Sequence, residues 1–119
     1  MTSTHLNQLN QSDIAELEQK YLAAKSAVDS ITHRGGYPVY PEPIKQFFLH
    51  YLTRWQNTSY NPKESGERIK QIESASLIDL CSILTLFMRS ERFSDGAWIE
   101  ILKSDNIERV IARAKTLLD

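Results

Sequence analysis

From Leu77 onward the apolar residues Leu80, Cys81, Leu84, Phe87 and Met88 fall three and four apart, the repeat of one helix face. Ile78, Ile83 and Leu86 widen that face, so the helix is expected to be buried on most sides. Ser76 stands where an N-cap is needed, and Asp79 three residues on suits the positive first turn. After Met88 the pattern gives way to Arg89-Ser90-Glu91-Arg92-Phe93-Ser94-Asp95-Gly96, a polar knot around one phenylalanine. Arg89 and Arg92 suit the carbonyl end of the helix before the knot, and Ser94 is placed to cap a new one with Asp95 in its first turn. Phe93 has no apolar neighbour in its own turn, so its ring is expected to plug the angle between the two helices. Gly96 is expected to allow their close approach.

Upstream, Ile14, Leu17, Tyr21, Ala24, Val28 and Ile31 alternate steps of three and four. They predict a helix from Asp13 to Ile31, opened by Asp13-x-x-Glu16 as a capping box. Such a stripe packs on its own domain, the simpler reading, or pairs with a second copy of the chain, giving self-association. Gly35 and Gly36 are expected to end the helix, with His33 and Arg34 near its negative pole. Prolines 38, 41 and 43 make Tyr37 to Pro43 an extended connector, with Tyr37 and Tyr40 as a candidate aromatic surface. Pro43 then suits the first turn of a helix carrying Ile44, Phe47, Phe48, Tyr51, Leu52 and Trp55.

Asn57 to Pro62 reads as a loop from which Tyr60 folds back over the core, and residues 63–74 as a short solvated helix. Asp95 to Lys103 predicts a helix with Trp98, Ile99 and Leu102 inward. Asp105-x-x-Glu108 opens the last helix, which presents Ile107, Val110, Ile111, Ala114, Leu117 and Leu118. No pair of alternating segments predicts a hairpin. The expected fold is all-α, a single compact domain of about five or six helices over residues 13–119 after a flexible segment at 1–12.

Within this pattern, Leu84-Thr85, Arg89-x-Glu91-Arg92-Phe93-x-Asp95-Gly96 and Ile107-x-x-x-Ile111-x-Arg113 resemble the signature of the bacterial domain-of-unknown-function 6508 family. Tyr37-Pro38-Val39-Tyr40 is a loose upstream counterpart, and Phe48, Trp55 and Tyr60 fall where that family's aromatics are expected. The resemblance spans residues 37–118. Ser94 stands where many relatives carry cysteine, so no thiol chemistry is implied, and the family brings no activity to transfer.

Composition narrows the function classes. A net charge of −1 over 119 residues argues against a polyanion binder, so a nucleic-acid partner is not expected. No apolar run is long enough to span a membrane, and one cysteine allows no internal disulfide, which together suggest a cytoplasmic protein. Cys81 lies among leucines and reads as a buried, inert thiol. His5, His33 and His50 have no ligand spacing with one another or with Cys81, so no metal site is expected. No cofactor is implied and no catalytic residue is nominated, which leans away from an enzyme.

The knot is the one site-like grouping. Arg89 and Arg92 could contact an anion or an acidic partner, helped by free amides of the helix that follows. The competing and favoured reading pairs them with Glu91, Asp95 or other carboxylates as a structural corner, with Phe93 and Gly96 completing it. Two functions stay open: a non-enzymatic protein-interaction or regulatory module, such as an inhibitor or adaptor of bacterial or mobile-element origin, and a small anionic-ligand or nucleotide-derivative binding protein, with or without catalysis, using Arg89 and Arg92.

Overall fold

The apolar stripe of the first helix is used inside the chain. In the computed structural model, which describes residues 8–118, helix α1 (Gln11–Ser26) buries Ile14, Leu17, Tyr21 and Ala24. They face helices later in the sequence, so the stripe is not exposed for pairing with a second copy. The helix starts earlier and stops sooner than its periodicity suggests. Asn10 is the N-cap: its side chain accepts from the Ser12 and Asp13 amides, and the Asp13 carboxylate accepts from the Asn10 amide at 2.9 Å. Asp13 is therefore the third helical residue rather than the cap. Leu9 joins the core, so the expected boundary at residue 13 falls inside the folded body. Residues 1–7 of the expected flexible segment, including His5, lie outside the described residues.

Gly35 and Gly36 make a hairpin instead of ending a helix. After a 3-10 turn at Val28–Ser30, strands β1 (Thr32–Arg34) and β2 (Tyr37–Val39) pair antiparallel, with Arg34 opposite Tyr37 and Thr32 opposite Val39. Both glycines have positive φ, 58° and 86°, as a two-residue primed turn demands. The expected helical course through Val28 and Ile31 is interrupted because this turn chemistry outweighs a stripe that has already thinned.

Among the described residues, four further helical stretches accompany a central one, Leu77–Arg89. Helix α2 (Glu42–Lys45), with Pro43 in its first turn, continues as a π turn (Gln46–His50) and a 3-10 turn (Tyr51–Trp55). This change of pitch buries Ile44, Phe47, Phe48, Leu52 and Trp55 on one side while Leu49 and His50 stay exposed. Helix α3 (Pro62–Arg68) runs into a 3-10 turn (Ile69–Ser74). Helix α4 (Leu77–Arg89) starts at the expected N-cap Ser76, which forms a capping box with Asp79, and buries Leu80, Cys81, Ile83, Leu84, Thr85 and Phe87; Ile78 is exposed. Helices α5 (Ala97–Lys103) and α6 (Asn106–Leu117) close the array, and the fold is all-α apart from the hairpin. Asp105 precedes α6, but its side chain makes no cap hydrogen bond.

Polar pairs tie the array together. Asp13 accepts from Arg54 at 3.0 Å, and its backbone carbonyl accepts from the Tyr51 hydroxyl, which in turn accepts from the Trp55 indole. Thr85 accepts from the Asn57 amide at 2.8 Å and donates to the Cys81 carbonyl, pinning the loop after Trp55 to α4. Arg113 donates to the Ala75 carbonyl. The Arg109 guanidinium grips Glu73 through two nitrogens, at 2.7 and 2.8 Å, and holds that carboxyl down at about 2.

Candidate functional site

Glu91 builds the corner between α4 and α5. After Arg89 the chain makes one 3-10 turn (Ser90–Arg92), and Gly96, with φ of 89°, turns it into α5. The first amides of α5 need acceptors, and no side chain at the cap position supplies one. Glu91 reaches across instead: Oε2 accepts from the Gly96 amide at 2.7 Å and Oε1 from the Trp98 amide at 3.0 Å. Oε1 also accepts from the Tyr40 hydroxyl at 2.8 Å, which ties the residue after β2 to the same corner. Burial, followed by the hydrogen bond and charge of Glu91, pushes the Tyr40 phenol well above its ordinary range, so it stays a donor.

Trp98 fills the corner that Phe93 was expected to plug. Its ring stacks on Phe48 at 4.7 Å with 3° between planes and meets Tyr40 at 5.1 Å. Its indole donates to the Phe87 carbonyl at 3.1 Å, satisfying one of the open carbonyls at the end of α4. With that space occupied, Phe93 points outward and is 83% exposed. The expected buried plug is therefore corrected. Ser94 does not cap α5, and Asp95 is exposed and lies before the helix rather than in its first turn. Gly96 serves its left-handed backbone conformation, not close helix approach: a Cβ there would meet nothing within 4 Å.

Neither arginine braces the corner through a carboxylate. Arg89 lies over the Tyr60 ring, 5.1 Å from its centroid, and this explains where Tyr60 goes. Arg92 is exposed and makes no hydrogen bond or ion pair with any described residue. Glu91, the acid between them, is directed at backbone amides, so the free amides expected to assist an anion are already occupied. Of the two tyrosines, Tyr37 is 62% exposed on the hairpin, whereas Tyr40 turns inward onto Trp98.

Arg89, Glu91 and Arg92 line one open groove of about 470 Å³ together with Phe48, Leu49, Thr53, Gln56, Met88 and Trp98. Phe48 and Trp98 are its buried apolar members, and Leu49, 50% exposed, is its apolar rim. Sequence reading missed the contribution of Leu49, Thr53 and Gln56, because the pitch change that places them is hidden in a stripe compatible with a plain α-helix. The adjacent buried pair Phe47-Phe48 was the available signal. His33 and His50 are exposed, and Cys81 is fully buried with its thiol pushed up to about 12 by desolvation. No group of three His, Cys, Asp or Glu among the described residues converges to hold a metal ion, and no described helix is long and apolar enough to cross a membrane.

Residues 17–119 match a protein family described as a family of unknown function, DUF6508. No curated protein and no solved structure matches the chain.

Proposed function

The chain belongs to the DUF6508 family of unknown function, and from its corner we propose that it is a non-enzymatic protein-interaction module that docks a partner protein over the junction of α4 and α5. One observation carries this reading. Arg89 and Arg92 share an open groove without an ion pair to any described carboxylate, and the next residue, Phe93, is almost fully exposed. Arginine and aromatic side chains are enriched at protein interfaces, and an exposed phenylalanine has little to offer the free monomer. An adaptor, inhibitor or regulator in a bacterial cytoplasm fits this arrangement and the single buried thiol.

A second reading, a small anionic ligand or nucleotide derivative held by the same arginines, draws support from the two unpaired guanidinium groups. It is weakened by the Gly96 and Trp98 amides, which Glu91 already occupies. The groove is also open, whereas small ligands usually sit in sites that bury most of their surface. Native mass spectrometry of the chain purified from its own host, beside an Arg92→Ala/Phe93→Ser variant, separates the readings. A protein partner on the wild type that is missing from the variant is the expected result. A small anion retained without any protein would replace this reading with the second.

A further inference from the structure

We infer that the partner segment received by this groove is both acidic and apolar: a short stretch that sets a carboxylate against Arg89 and Arg92 and lays a neighbouring aliphatic or aromatic side chain on the apolar wall. The inference rests on the docking reading above and specifies its partner. The wall is the half-exposed Leu49 with the partly buried Met88, backed by the buried Phe48–Trp98 stack. These groups offer an apolar side chain a surface and offer a charged one nothing.

The cations set the sign of the partner. Arg89 is steadied by the Tyr60 ring and Arg92 is free in solvent. Guanidinium groups match planar carboxylates in two-point contact. Glu91 is turned to three other donors, the Gly96 and Trp98 amides and the Tyr40 hydroxyl, and forms an ion pair with neither arginine. Asp95 is exposed and pairs with neither arginine. A segment bearing lysine or arginine would meet like charge, and a neutral one would leave the guanidinium groups unmatched.

Extent argues for a polypeptide over a free small acid. Exposed apolar side chains also stand at Phe93, next in sequence to Arg92, and at Tyr37 and Val39 on the hairpin that leads into Tyr40. The groove alone leaves a small molecule largely in water, while an extended segment covers groove and rim together.

A displayed library of random peptides, selected on the wild-type chain and counter-selected on Arg89→Ala/Arg92→Ala, tests this. The expected winners carry aspartate or glutamate next to leucine or an aromatic residue. Replacing the carboxylates of one winner by amides should weaken binding, read by fluorescence anisotropy, by at least about tenfold, the size of one lost charge-assisted hydrogen bond. Added salt should weaken the acidic peptide and leave the amide version unchanged. Arg92→Glu, a change at an exposed position, should leave the melting temperature within a few degrees and abolish the acidic peptide's binding. Neutral or basic winners, or an amide peptide that binds as well, would overturn the acidic assignment while leaving the docking reading in place. Inorganic phosphate or a single-stranded oligonucleotide binding the same groove as tightly as the best peptide would overturn it in favour of a general anion site. No winners at all would also overturn it. The fate of the docking reading would then rest on the host complex, which is measured independently.

Discussion

Glu91 shows how much one side chain decides here. Its carboxylate takes two backbone amides and one phenol, each a donor that would otherwise lose its acceptor. Glu91→Ala should lower stability by about 2–3 kcal/mol, the scale of hydrogen bonds to a charged group, and chemical denaturation measures it. Asp13 is the second such residue. Burial raises its carboxyl, but the Arg54 hydrogen bond, the Asn10 amide and the Arg54 charge outweigh that, and the net shift is downward. A lowered folded pKa stabilises above the unfolded value of about 4 and loses that contribution as pH falls through the folded value. Asp13→Asn should therefore cost up to about 1 kcal/mol at neutral pH, and the gap between the two proteins should close at strongly acidic pH. Urea melts across that range check it. Cys81 and the Ser76–Asp79 cap were legible in the sequence because each depends on near neighbours. Glu91 and Phe93 were not, because Trp98, five residues beyond Phe93, takes the interior place, and no local pattern ranks one ring over the other.

Among the elements, legibility followed periodicity. The α1 stripe gave the helix and its buried face, so Leu17→Glu, which forces a charge into a fully buried position, should destabilise by at least about 3 kcal/mol in a urea melt. Its ends were misplaced, because the cap lies in the polar residues before the stripe and the hairpin interrupts its tail. The hairpin escaped notice since strands of three residues carry almost no alternation; only the adjacent glycines marked it. Both glycines are open to space, so their requirement is purely conformational. Gly36→Val should strain the turn and speed hydrogen exchange at Thr32 to Val39, yet leave the melting temperature within a few degrees, because the strands contribute little buried surface. A large fall in melting temperature would mean that the hairpin supports the body. The π turn after α2 was equally hidden, and it places Leu49 at the groove.

Across the whole molecule, elements far apart in sequence are stitched by ion pairs: Lys25 with Glu108, Glu18 with Lys115, and Glu73 with Arg109. At the α4–α5 corner, by contrast, Arg89 and Arg92 make no ion pair with any described residue and lie together on one groove. The all-α class was legible because the apolar repeats bury wherever they are strong. The corner's working surface was not, since exposure depends on which distant group fills a space first. The central claim is that Glu91 and Trp98 hold this corner while Arg92 and Phe93 add nothing to the fold and remain available to a partner. Calorimetric melting of Arg92→Ala/Phe93→Ser tests it most directly. The expected melting temperature lies within a few degrees of wild type, as for surface substitutions of about 0.5 kcal/mol or less each. A fall matching that of Glu91→Ala would contradict the account and make these two residues part of the brace.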